Sequence, residues 1–191
     1  MLPIPKPDMF GFIVNWFRRR RLKKDASDIP TGFLPLGKIK SANVVIDAQE
    51  TDFELLREDI LSWGKASGIK VSIFFIDLHK LSKGELLITS IQTTICRKEL
   101  SWYGAPPADK ARLLMDDDAD LFISMVDSSD FLVDYLCKCS HARFKVGRKE
   151  YPGHSFDMII ANNAAGELRS ELRSDSREVF ACILSFLKKI Q

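Results

Sequence analysis

A chain of 191 residues, 46% hydrophobic and 28% charged, has the length and composition of one globular domain and excludes a disordered or fibrous protein. A domain of this size buries roughly 70% of the surface its unfolded chain exposes, so it needs neither a disulfide nor a metal staple. The net charge of +2 hides a division: residues 1–40 carry nine Lys/Arg and three Asp, a balance of +6, and the rest carries a balance of −4. A basic head before a mildly acidic body speaks of partners, not of fold.

Residues 1–9 contain Pro3, Pro5 and Pro7, which deny a regular helix. Residues 9–24 are expected to be helical, with Phe10, Ile13, Val14, Trp16 and Phe17 as an apolar side. The basic run Arg18, Arg19, Arg20, Arg21, Lys23 and Lys24 follows. An aromatic and basic helix of this kind, spanning residues 10–24, suits an anionic membrane surface, nucleic-acid phosphates or a protein partner. The structural alternative packs its aromatics on the domain and leaves the arginines as a solvated end that complements the helix dipole. The apolar residues precede the basic run, the reverse of a secretory leader. No apolar run approaches the ~20 residues needed to span a bilayer. Residues 25–40, with Pro30, Gly32, Pro35 and Gly37, read as a linker or a wrapping loop.

The regular body begins near Asn43. Residues 43–46 form a β-branched run that reads as a buried strand and ends at Asp47 and Gln49. Thr51 and Glu54 have capping-box spacing for the next helix. Its apolar residues Phe53, Leu56, Ile60 and Trp63 recur at helical steps, and Gly68 is placed to close it. Residues 70–76 are a second strand, ending at Asp77 and His79. The spacing is that of one right-handed crossover unit. The region 79–115 is less legible: 85–91 reads as strand or short helix, 93–96 has β character, 100–107 is an aromatic turn, and 108–115 is a short helix. The acidic loop 116–118 lacks the spacing of a calcium loop. Residues 120–126 are the central strand, 131–139 a helix, and 142–146 a strand that turns at Gly147. Residues 156–160 form a further strand, 161–166 a polar loop and 168–173 a helical turn. Asp175 and Glu178 start a last helix with a broad apolar face, Val179, Phe180, Ile183, Leu184, Leu187 and Ile190.

These elements predict a three-layer, Rossmann-like α/β domain over residues 41–191, with a mostly parallel sheet of about five strands. A basic aromatic arm and linker over residues 1–40 precede it. In such sheets ligands sit beyond the carboxyl ends of the strands. The candidate rim is therefore Asp47 and Gln49, Asp77 and His79, Asp127, Ser128 and Ser129, Gly147 and Arg148, and Asn162 and Asn163. Among them His79, Asp47, Asp77 and Asp127 are the candidates for acid–base work. Gln49, Ser128, Ser129, Arg148 and Asn162 are the candidates for holding a ligand. The structural alternative is that these residues cap helices and close turns. His141 and His154 fall in turns.

Several chemistries are absent. No Gly-x-Gly-x-x-Gly follows the first strand, and neither a P-loop nor a Gly-x-Ser-x-Gly elbow exists. Asp47-Ala-Gln49 lacks the second carboxylate of an aspartyl-phosphate phosphatase. The cysteines, Cys96, Cys137, Cys139 and Cys182, show no framework spacing. On a helix, residues two apart such as Cys137 and Cys139 diverge by about 200° and share a metal poorly. Reduced thiols point to the cytosol. No cofactor and no metal are implied.

The segment 120–148, with its Leu-Cys-Lys-Cys-Ser-His-Ala-Arg-Phe-Lys-Val-Gly-Arg run, together with Leu-Ser-Trp-Tyr-Gly-Ala-Pro at 100–106 and Asp-Met-Ile-Ile at 157–160, resembles a small family of uncharacterised bacterial proteins. That resemblance implies an α/β fold and no activity. The central segment is also similar to a passage in the amino-terminal domain of heptosyltransferase-like glycosyltransferases, where a strand and helix precede Ala-x-x-Arg-Ile-Gly. Gly147 and Arg148 stand at the corresponding places. This implies a shared half-fold, since 191 residues leave no room for a second sugar-nucleotide domain. The leading expectation is a cytoplasmic protein that acts by binding, its arm contacting a membrane surface, nucleic acid or a partner protein; with a membrane as the partner it would be peripheral to the inner face. The alternative is a nucleotide- or sugar-type ligand-binding domain or enzyme working at the strand exits.

Overall fold

The β-branched and aromatic runs of the body pair into a six-stranded sheet in which all five neighbouring pairs are parallel. The computed structural model describes residues 9–79, 89–90, 92–115, 118–127, 130–151, 153–160 and 175–190. In chain order these form α1 (Met9–Asp25), β1 (Ser41–Asp47), α2 (Phe53–Ser67), β2 (Lys70–Asp77), β3 (Thr94–Cys96) and α3 (Ala108–Met115). There follow β4 (Leu121–Ser124), α4 (Asp130–Cys139), β5 (Phe144–Gly147), β6 (Met158–Ile159) and α5 (Ser176–Leu187). The sheet order is β3-β2-β1-β4-β5-β6. Six strands stand where about five were expected. The edge strands β3 and β6 are three and two residues long, too short to carry a periodic signal.

β1 is central and buried on both faces, which is why it reads as a continuous apolar run. Its alternate residues feed two cores. Ala42, Val44 and Ile46 meet Leu56, Ile60 and Trp63 of α2 and Val179, Phe180 and Ile183 of α5. On the other side Val45 joins a core containing Ala111 and Leu114 of α3 and Leu132, Val133 and Leu136 of α4. The result is three layers, with the sheet between α2/α5 and α3/α4.

The helix ends partly differ from expectation. α2 starts with Asp52 as its N-terminal cap and no side-chain cap hydrogen bond, so the Thr51–Glu54 box is not what begins it. Gly68 closes it at φ 68°, as its lack of a Cβ allows. α5 is capped by Asp175, whose carboxylate accepts from the Arg177 N–H at 2.9 Å. Gly147 does not turn the chain: it ends β5, in register with Ser124 and Ile159. A Cβ there would lie 2.7 Å from the Phe156 ring, so the strand stays open for that ring to cover it. Most of the expected element at 85–91, both the polar loop at 161–166 and the turn at 168–173, and Asp116 and Asp117 lie outside the described residues.

Candidate functional site

Parallel pairing gathers the carboxyl ends of the strands along one rim. At that rim the chain leaves β1 for α2 on one face and β4 for α4 on the other, so the crevice between β1 and β4 is the topological switch point. The candidate residues there fall into two groups. At the ends of β1 and β2, the Asp47 carboxylate accepts from the Gln49 backbone N–H at 2.9 Å, and that of Asp77 accepts from the His79 N–H at 3.0 Å. Gln49 Nε2 reaches Asp77 Oδ1 at 3.5 Å. Asp47, Gln49, Asp77 and His79 are thus neighbours. Both carboxylates are engaged with backbone two residues on, the local turn that Asp commonly makes.

The second group lies at the switch point itself. The Arg148 guanidinium, only 7% of the residue being exposed, donates from Nη1 to Glu50 Oε1 at 2.6 Å, Ser176 Oγ at 2.7 Å and the Met125 carbonyl at 3.3 Å. Its Nη2 lies 3.8 Å from Asp127 Oδ2. The Ser176 hydroxyl donates to Glu50 Oε2. Arg148 and Asp127 were expected at the rim; Glu50 and Ser176 were not. Nothing local marks them, because Glu50 is a turn residue 98 positions from its arginine. Ser128, Ser129, Asn162 and Asn163 lie outside the described residues. A cavity of about 290 Å³ opens elsewhere, between α2 and β2, lined by Phe53, Arg57, Leu61, Ile73, Phe75 and Thr93 among others. None of the candidate rim residues lines it.

The arm is arranged otherwise than its apolar pattern suggests. The residues of α1 turned toward the body are Gly11, Val14, Arg18, Arg21, Leu22 and Asp25, at helical spacing. Arg18 donates from Nε to the Tyr103 carbonyl at 2.7 Å, and its guanidinium lies 4.6 Å from the centre of the Phe131 ring. Arg21 pairs with Asp25 at 2.6 Å, and the buried Tyr135 hydroxyl donates to the same carboxylate at 2.6 Å. Burial first, then that acceptor, pushes the Tyr135 phenol well above its ordinary range. Leu22 packs on the α4 core.

The aromatics, by contrast, look outward. Met9 is 76% exposed, Phe12 74% and Trp16 48%, with Ile13 beside them. Phe10 and Phe17 flank the helix and meet Trp102, itself 56% exposed, at centroid distances of 6.2 and 5.0 Å. Arg19, Arg20, Lys23 and Lys24 are also exposed. The outward side of α1 is therefore apolar over its first two turns and cationic over its last two. This corrects the expectation of a single apolar side beside a uniform basic end: two of the four arginines fasten the helix, and most of the aromatics stay in water.

Lys145 and two cysteines of α4 are buried away from the rim. Lys145 donates to the Cys137 carbonyl at 2.7 Å, and burial lowers its pKa. Burial pushes the Cys137 thiol up strongly and Cys139 up to about 12, which makes poor nucleophiles of both. Among the described residues no three His, Cys, Asp or Glu side chains are grouped to hold a metal ion, and no helix is long and apolar enough to cross a membrane.

Sheet order, layering and rim define an α/β domain with a doubly wound parallel sheet, to which an aromatic and basic helix is fastened. Within that class, the chain belongs to a family of unknown function (DUF6913), whose model matches residues 12–172 and so takes in α1 from Phe12 onward. No curated protein and no solved structure matches it.

Proposed function

We propose that this chain is a Rossmann-like domain that acts by binding, and that the outward face of α1 seats it on an anionic membrane surface. The strand order, 3-2-1-4-5-6 with every pair parallel, supports the Rossmann-like reading. The similarity of residues 120–148 to heptosyltransferase-like glycosyltransferases fits the same half-fold and brings no transferase reaction with it. The membrane reading rests on one observation. Arg18 and Arg21 fasten α1 to the body, yet Met9, Phe12, Ile13 and Trp16 are left in water beside four exposed cations.

A helix held by its arginines need not expose aromatics, and a contiguous apolar patch marks an interaction surface. The segregation runs along the helix axis, so one half inserts among acyl chains while Arg19, Arg20, Lys23 and Lys24 meet headgroup phosphates. Each cation near such a surface contributes about 1 kcal/mol. Nucleic acid is the less favoured partner. Single strands stack on flat rings, whereas Met9 and Ile13 offer aliphatic surface that bases do not use. On this reading the protein is cytoplasmic and peripheral to the inner face of the membrane.

Co-sedimentation with phosphatidylcholine vesicles, with and without phosphatidylserine, tests it. Binding should require the anionic lipid, weaken with salt, and fall in the Phe12→Ser/Trp16→Ser variant, whose substituted side chains are exposed. Equal binding of that variant, or binding to single-stranded RNA that outcompetes the vesicles, would refute the assignment.

A further inference from the structure

We infer that the crevice between the ends of β1 and β4 is a receptor for a single oxyanion, carboxylate or phosphate, and that the chain's own Glu50 carboxylate fills it in the structure seen here. The place is the one where doubly wound sheets bind ligands. Both oxygens of Glu50 are bound there: Oε1 by the Arg148 guanidinium at 2.6 Å, Oε2 by the Ser176 hydroxyl. An arginine and a hydroxyl converging on two oxygens of one group is the arrangement that recognises a ligand carboxylate or phosphate.

The donors and the acceptor differ in how they are held. Arg148 directly follows β5, its N–H bonded to the Ser124 carbonyl of β4 at 3.1 Å, and its guanidinium is braced by the Met125 carbonyl. Ser176 opens α5 and is buried. Glu50 sits on the turn between β1 and α2, and its side chain keeps 15% of its surface in contact with solvent. The receptor thus stands at the end of a strand and the start of a helix, and its occupant on a turn outside both.

The surroundings limit the ligand. Asp127 stands beside the crevice, 3.8 Å from Arg148 Nη2. Its charge disfavours a polyanion such as a dinucleotide pyrophosphate, consistent with the glycine-free exit of β1. A small molecule presenting one carboxylate or one phosphate monoester fits, and it enters by displacing Glu50. This site shares no residue with the α1 surface and stands or falls separately from it.

Thermal unfolding with inorganic phosphate or acetate titrated at constant ionic strength is the test, on wild type, Glu50→Ala and Glu50→Ala/Arg148→Gln. Phosphate also stabilises proteins generally by exclusion from their surface, so the difference between variants is what counts. Glu50→Ala should show a saturating stabilisation following RT ln(1 + [L]/Kd), with a Kd at least tenfold below that of wild type, and the double variant should lose it. Should Glu50→Ala not fold, Glu50→Gln retains an acceptor for Arg148 and the same tenfold difference is read by calorimetry. The inference is overturned if phosphate and acetate act on the Glu50 variants no more than on wild type, or if the gain persists without Arg148. Acetate alone acting would identify a carboxylate ligand, and phosphate alone a phosphate monoester; either supports the site.

Discussion

Arg18 and Arg20 are two residues apart in one basic run, yet the structure gives them opposite tasks, and replacing each by alanine separates these. Arg18 donates a charged hydrogen bond to a carbonyl at 2.7 Å and stacks 4.6 Å from a ring centre. Such a bond contributes about 1.5–3 kcal/mol and the cation–π contact about 0.5–1. Allowing for water that re-forms part of the bond, Arg18→Ala should cost about 2 kcal/mol. Arg20 is exposed, its nearest ring being the half-exposed Trp16 at 5.4 Å, so Arg20→Ala should fall within about 0.5 kcal/mol of wild type. On an anionic bilayer the order reverses for the outward residue: losing about 1 kcal/mol of attraction lowers partitioning about fivefold at low salt. Urea unfolding, read from the shift of midpoint at unchanged slope, and vesicle co-sedimentation are the two assays. Equal losses of stability for Arg18→Ala and Arg20→Ala would refute the orientation of α1, and with it the argument for its exposed aromatics.

Gly147→Ala should destabilise by about 1–3 kcal/mol in the same unfolding assay, because its Cβ meets the Phe156 ring at 2.7 Å and β5 has no slack to move; an unchanged midpoint would mean that Phe156 is not packed there. Glu99 is partly buried, which works against its ionisation. The Lys110 ammonium at 2.7 and 2.8 Å and the Cys96 N–H at 2.9 Å nonetheless hold its carboxyl below the ordinary carboxylate range. A depressed folded pKa stabilises above the unfolded value and is lost as pH falls through the folded one. The stability gap between wild type and Glu99→Gln should therefore be constant near neutrality and close in acid, and a gap that does not change with pH would count against the pairing. Of the four cysteines only Cys182 is exposed, so a thiol reagent under native conditions should titrate one group, and all four in denaturant; rapid reaction of Cys137 would contradict its burial.

The direction of the strands was legible because runs such as Val44–Ile46 and Phe74–Ile76 are apolar without alternation, the mark of burial on both faces. Crossover-sized spacing between them then favoured parallel pairing. The rim followed from that, and Asp47, Asp77, Asp127 and Arg148 lie on it. What the rim residues do was not legible. Whether Asp47 closes a turn or faces a ligand depends on a backbone N–H two residues away. Whether Arg148 is held depends on Glu50 and Ser176, which no local pattern connects to it. Which face of α1 turns inward was left open for a related reason. Helical periodicity separates sides but does not say which side is inward, and here Tyr135, Asp25 and Phe131 reward two arginines more than the core rewards Trp16. The edge strand β3 was faint because three residues carry no period, whereas β6 falls inside the strand expected at 156–160, of which Met158–Ile159 pairs.

The segment that follows α1 is strapped across the far half of the molecule: Ser27 donates its N–H to the Lys138 carbonyl, Gly32 to that of Arg143, and the Thr31 hydroxyl to Asp157, 126 residues on. Synthesis runs at about 5–20 residues per second, so on the order of ten seconds separates the emergence of the helix from that of its last fastening. During that interval Phe17, Arg18 and Arg21 lack the complete body they lie against in the folded protein. The growing chain thus offers its most cationic stretch, with the aromatics before it, to whatever stands nearest the ribosome, well before the sheet that will carry it exists.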